Sequence, residues 1–187
     1  LSGGTLSTAS GTLSLGLGEG PGQINIVSNA PAGFSAYGAP LTVNLGGAAA
    51  ALPWGSAAFS PNALLLNEVG ADQALTFVND LNVAGGVRTI SVNATAPGTG
   101  VSMVGNIGDT VGGGGLAKGG AGALTLAGTN VYTGATYVTG GSLTLAPASS
   151  NSIGEVQVSG AARLSVGSAT VKQTAGNFVV YGGSADI

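Results

Sequence analysis

The chain contains no cysteine and no histidine, and of its 187 residues only four carry a positive charge and seven a negative one. Without cysteine there is neither a disulfide framework nor a thiolate metal site. Without cysteine and histidine the usual nucleophile and the usual general base of an active site are both missing. The four cations, Arg88, Lys118, Arg163 and Lys172, cannot line a row of phosphates, which excludes nucleic acid as a partner. No apolar run approaches the roughly 20 residues of a membrane helix. The Ala-rich stretch from Gly46 to Leu52 is stopped by Pro53, so no transmembrane helix is expected. Strong helix formers other than Ala and Leu are scarce, and helix should be negligible.

What is present is glycine, 36 residues of it, with 44% hydrophobic residues and a net charge of only −3. Disordered chains combine low hydrophobicity with high net charge, so this one should fold. The glycines keep no period of three, which excludes collagen. Short runs alternate with period two: "TLSLGL", "INIVS", "LTVNL", "ALTFVN", "RTISVN", "ALTLAG", "SLTLAP", "VQVS", "RLSV" and "FVVY". Each puts Val, Leu, Ile or Phe on one face and Thr, Ser, Asn or Gln on the other, as a half-buried strand requires. The turns between them are Gly-rich without the Asn-Gly or Asp-Gly pairs of tight hairpins. The expected class is therefore all-β, a parallel winding (β-solenoid) in which each strand lies on its equivalent one coil earlier. About eight coils at roughly 4.8 Å each would make a rod on the order of 40 Å long.

Residues 1–187 are expected to form one solenoid segment of a longer or polymeric protein. Within it, 23–93 is a loop-rich portion holding most of the aromatics, 112–147 a glycine-punctuated stretch, and 148–187 further coils. That second stretch, "GGLAKGGAGALTLAGTNVYTGATYVTGGSLTLAP", resembles the autotransporter-associated β-strand repeat of bacterial passenger domains. The residues that carry the resemblance are Gly114, Gly115, Leu116, Lys118, Gly120, Gly122, Leu124, Leu126, Asn130, Tyr132, Thr133, Gly134, Val138, Gly140, Gly141, Leu143 and Leu145. The preceding "GFSAYGAPLTVNLGG" and "LLLNEVGADQALTFVNDLNVAGG" are similar to a segment that often precedes this repeat in long exported bacterial proteins. Nothing in the chain resembles the outer-membrane barrel that ends autotransporters. The resemblance implies a right-handed parallel β-helix at the cell surface, extracellular, with no catalytic residues and no cofactor, because the repeat is architectural.

Several side chains are candidates for chemistry. The loop "GGGGLAKGG" lacks the Gly-Lys-Ser/Thr and following helix of a phosphate-binding loop, so Lys118 is expected at a scaffold corner. Asp72 and Asp80 flank one strand as the nearest approach to a carboxylate pair, without a base or cation beside them. Asp109 has only Asn106 and Thr110 near it, too few ligands for calcium, and Asn93-Ala94-Thr95 is formally a glycosylation sequon. Tyr37, Trp54 and Phe59 offer a possible glycan-stacking platform. Asn25, Asn44, Asn82 and Asn130 are expected to form an inward hydrogen-bonded ladder.

Both ends of the chain have strand character with no obvious cap. The function this points to is a noncatalytic extracellular structural protein, whose units stack head to tail on copies of themselves or adjacent repeats into a fibre, sheath or stalk. The alternative is an adhesin that binds cell-surface or matrix glycans through its loop aromatics, with an enzyme of polysaccharide-lyase type last.

Overall fold

The computed structural model describes residues 1–9, 11–146, 150–151, 154–166, 170–171, 178–181 and 184–186. Pro147, with which the repeat-like stretch ends, and Lys172 lie outside the described residues. Among those described there is no helix, and every strand pairing is parallel.

Alternation is realised as two large sheets. The first has eight strands stacked in chain order: Gly4–Thr8, Ala32–Ala36, Ala63–Leu66, Val87–Ser91, Gly115–Gly119, Thr136–Val138, Val156–Ser159 and Phe178–Tyr181. The second has nine, Thr12–Leu17, Leu41–Leu45, Leu75–Phe77, Val101–Met103, Ala123–Leu126, Ser142–Leu145, Arg163–Val166 and Ser184–Asp186, with Gln23–Ile24 at its outer edge. The chain leaves a first-sheet strand, enters the second sheet, and returns to the first beside the strand it left. Short strands on the return path, Leu52–Pro53, Leu81–Asn82 and Ile107–Gly108, form a third parallel sheet.

The length of each circuit follows from register. Gly4 pairs with Ala32, 28 residues on, Ala32 with Leu64 after 32, and Leu64 with Ile90 after 26. From Leu116 the step shortens: Leu116 pairs with Thr136 and Thr136 with Val156, 20 residues each. The long circuits hold the region expected to be loop-rich, and the short ones hold the repeat-like stretch.

The core lies between the sheets in columns of equivalent residues. Leu41, Leu75, Val101, Leu124, Leu143 and Leu164 stack in register on the inner face of the second sheet, all buried. On its outer face Thr12, Thr42, Thr76, Ser102, Thr125, Thr144 and Ser165 stand in one rank. Threonine suits this place because its β-branch fits the pleat while its hydroxyl faces water. A one-residue slip would exchange the leucines for the threonines, and this fixes the register.

Corners are where glycine becomes necessary. Gly141 has φ +59°, and a Cβ there would stand 2.2 Å from the Gly122 carbonyl oxygen in the circuit below. Stacked circuits are about 4.8 Å apart, so a tight corner whose residue faces its neighbour has no room for a side chain.

Candidate functional site

Lys118 occupies an inward position of the first sheet. Its column reads Ala32, Leu64, Ile90, Lys118, Val138, Val158, and the lysine is as fully buried as its aliphatic neighbours. It therefore belongs to the strand Gly115–Gly119 and not to the loop before it, which corrects the corner assignment. The alternation Leu116-x-Lys118 already put both on one face. Its ammonium group donates to three carbonyls, of Gly119 at 2.8 Å, Gly120 at 3.0 Å and Gly140 at 3.1 Å. Three N–H donors meet three acceptors drawn from two successive circuits. Burial pushes its pKa down to about 8, so the cation persists at neutral pH.

At the start of the next first-sheet strand, the buried Tyr132 hydroxyl lies 2.7 Å from Thr136 Oγ1, itself buried. Burial raises the phenol to about 12, against a smaller opposing effect of the Thr136 contact.

Two buried asparagines that the sequence did not single out do comparable work. Asn67, at φ +59°, accepts from the Ala36 N–H at 2.8 Å and donates to the Gln73 and Thr99 carbonyls, both at 2.8 Å. It thereby ties together three successive circuits. Asn79 accepts from Leu45 N–H at 2.7 Å and donates to the Leu45 and Ala50 carbonyls. Of the expected ladder, only Asn130 is buried, while Asn25, Asn44 and Asn82 are partly exposed. The ladder assignment is thus corrected: Asn44 and Asn82 bond turn backbone at Ala49 and Ala84, because alternation turns their positions away from the core. The signal that would have found Asn67 and Asn79 is their place directly after an apolar run, in "LLLN" and "FVN".

The acids bond backbone. Asp72 accepts from Gly38 N–H at 2.7 Å in the preceding circuit, and Asp80 from Asn106 N–H at 2.6 Å in the following one. Asn106 in turn accepts from Thr129 N–H at 2.7 Å, one circuit further. Asp109 collects the N–H groups of Gly85, Val111 and Gly114. Its partial burial alone would raise its pKa, but these backbone donors outweigh that and hold the carboxyl below its ordinary value. The Asn93 amide of the sequon donates to Glu68 at 3.0 Å and 3.1 Å.

The aromatic platform is also corrected. Trp54 and Phe59 are buried, packed edge to face with centroids 5.4 Å apart, and the indole N–H donates to the Pro61 carbonyl at 2.9 Å. Their rings offer no face to a sugar because the long excursion that carries them folds back onto the core. Tyr37 alone of the three is exposed, at 58%. Arg88 stands over Trp54, its guanidinium carbon 5.9 Å from the ring centroid.

Chemically, this arrangement joins circuit to circuit. The buried cation and amides bond carbonyls at the corners, and of the three that Lys118 reaches, only that of Gly119 also accepts a backbone N–H, from Val92 at 3.1 Å. Among the described residues no group of three or more acidic side chains converges on a metal-sized site, and no helix is long and apolar enough to cross a membrane. No protein-family model matches the chain, and neither a curated protein nor a solved structure matches it.

Proposed function

We propose that the chain is a segment of a right-handed parallel β-solenoid that serves as a noncatalytic, extracellular structural rod, its units stacking head to tail into a fibre, sheath or stalk. The observation that carries this reading is the continuity of register: eight first-sheet strands stack in chain order, and one column of inward residues runs through six of them, from Ala32 to Val158. A parallel circuit offers on one side the kind of edge that it accepts on the other, so one unit can continue the stack of another. A contact of that kind is heterologous and does not close, which generates filaments. Right-handedness follows from the rule for parallel strands joined by crossovers. The extracellular setting rests on the repeat-like residues from Gly114 to Leu145.

The supporting chemistry is that polar side chains are committed to the scaffold. Lys118, Asn67, Asn79, Asp80 and Asp109 each bond backbone of a neighbouring circuit, and none is left presented to a substrate. Negative-stain electron microscopy across a concentration series, with fibre diffraction, tests the proposal. The expected result is uniform fibres with a reflection near 4.8 Å along the fibre axis. Discrete short particles at every concentration would refute stacking between copies.

A further inference from the structure

Most asparagines of this molecule are committed to its own backbone or to a neighbouring side chain, and the two that are not stand together. Among the asparagines whose side chains are described, Asn29 and Asn62 alone make no side-chain hydrogen bond. Both line one groove of about 350 Å³, together with Ser28, Ser60, Val87 and Arg88. The Ser60 hydroxyl is likewise without a partner in the protein.

The groove runs across successive circuits. Val27 pairs with Ser60 and Ser28 with Pro61, the Asn62 N–H donates to the Ser28 carbonyl at 3.0 Å, and Arg88 follows in the next first-sheet strand. Three circuits at about 4.8 Å spacing cover roughly 10 Å, the size of a disaccharide.

Arg88 is held in place rather than left mobile. Its Nε–H donates to the Val83 carbonyl at 2.8 Å, Nη2 reaches the Trp54 carbonyl at 3.4 Å, and the buried indole lies beneath. A guanidinium has five N–H donors. Two are committed, three are left, and among the described residues no carboxylate pairs with them. A fixed, half-buried guanidinium with uncommitted donors is matched to a planar monoanion that accepts two of them at once. Around it stand hydroxyl and amide groups of the kind that bond sugar hydroxyls. The groove holds one cation, which is matched to a single carboxylate and not to a run of closely spaced phosphates.

We propose that this groove binds the carboxylate-bearing sugar unit of an acidic polysaccharide. Arg88 takes the carboxylate, and Asn29, Ser60 and Asn62 take ring hydroxyls. Trp54 acts as the pedestal of the arginine and not as a stacking face. The inference is independent of head-to-tail stacking, since every residue of the groove lies in one chain.

The test is a titration of the full chain with trigalacturonate, its methyl ester and the neutral galactose trimer, followed by amide chemical shifts. The expected result is saturable shifts confined to residues around 28–29, 60–62 and 87–88, with the acid binding about tenfold more tightly than the ester or the neutral trimer. Asn62→Ala removes a side chain that nothing in the protein uses and should weaken binding about threefold with unchanged stability. Arg88→Lys keeps the charge and loses the fork, with a further five- to tenfold weakening expected, about 1 kcal/mol or slightly more. Equal binding of acid and ester overturns the proposal. So do shifts elsewhere on the chain, no saturation by about 20 mM, or acetate alone reproducing the shifts at the same concentration. Because ester and acid are compared on the unaltered protein, a folding defect in either variant cannot mask the outcome.

Discussion

Replacing Asn67 by glycine removes a buried amide while keeping the backbone at ease, since φ there is +59°. Three groups lose their partner: the Ala36 N–H and the Gln73 and Thr99 carbonyls, each bonded at 2.8 Å. An ordinary hydrogen bond contributes about 1 kcal/mol net, but a buried group left without a partner costs about 1–3 kcal/mol. Water entering the space left by the amide brings three orphans towards the lower figure, so the expected loss for Asn67→Gly is about 3–5 kcal/mol. Asn67→Ala should lose about 1 kcal/mol more, the penalty of a left-handed backbone on a residue with a Cβ. Asn67→Asp keeps the acceptor facing Ala36 but sets a charged oxygen against two carbonyls, and should be worse than glycine at neutral pH. It should recover partly in acid, where the protonated carboxyl can donate one bond. The assay is urea unfolding followed by tryptophan fluorescence, because the single tryptophan, Trp54, is buried in the neighbouring long circuit. A midpoint for Asn67→Gly within about 0.5 kcal/mol of the parent would refute the idea that this amide ties the circuits.

Alkaline pH should separate the two buried titratable groups. The unfolded chain holds the Lys118 proton up to its ordinary value of 10.5 and the folded chain only to about 8, so stability should rise with pH through that window. Tyr132 acts oppositely: the folded phenol keeps its proton to about 12 and the unfolded one to 10.0, so stability should fall from pH 10 upward. Melting curves from pH 7 to 12 check both, with Lys118→Met expected to lose the rise and Tyr132→Phe the fall; curves parallel to the parent would refute the assignments. Gly141→Ala should cost at least about 3 kcal/mol, because it combines left-handed backbone with a Cβ 2.2 Å from a carbonyl oxygen. Gly113→Ala, at φ +77° with nothing within 4 Å, should cost only about 1–2 kcal/mol, and equal melting temperatures for the two would contradict the stacking geometry. Asp109, whose folded pKa lies below its ordinary 3.8, contributes stability above that value that disappears as pH falls through the lower one. Asp109→Asn, which cannot accept on both sides, should flatten acid melts between about pH 5 and pH 2.

Period-two alternation made the strands and the inner columns legible from sequence, because burial on one face is a property of each short run by itself. Leu124 and Leu126 could be placed inward with no knowledge of what lies beneath them. The corners were not legible in the same way. Whether an asparagine after a strand turns in or out depends on how far the chain travels before it meets the next circuit, and this distance is set by pairings such as Ala32 with Leu64. Hence the sequence pattern does not single out Asn67 and Asn79, while the expected ladder places Asn44 and Asn82 inward. The aromatics failed for a related reason. Trp54 and Phe59 sit among Pro, Gly and Ser, a composition that signals loop, and only the folded excursion shows that the loop has a core of its own. Lys118 is a different case: its alternation with Leu116 fits an inward strand position, while the glycines around it point to a corner.

Why a lysine should stand in an aliphatic column becomes clear from the neighbouring circuits. Where the step falls to 20 residues, the turn after Gly119 folds back at once through Gly120 and Gly122, and a Cβ at either would meet a carbonyl oxygen of the circuit below, Val92 at 2.2 Å or Ala94 at 2.3 Å. So close a corner turns carbonyls inward that no strand N–H reaches, among them those of Gly120 and Gly140. An aliphatic residue at position 118 would leave them partly buried without that partner, at about 1 kcal/mol each. In the longer circuits the same need is met by the amides of Asn67 and Asn79, which have room to sit beyond the strand end. The buried cation and the buried amides are therefore two solutions to one problem, the closing of carbonyls at a corner, and the short circuit uses both, since the buried Asn130 amide donates to the Gly128 carbonyl.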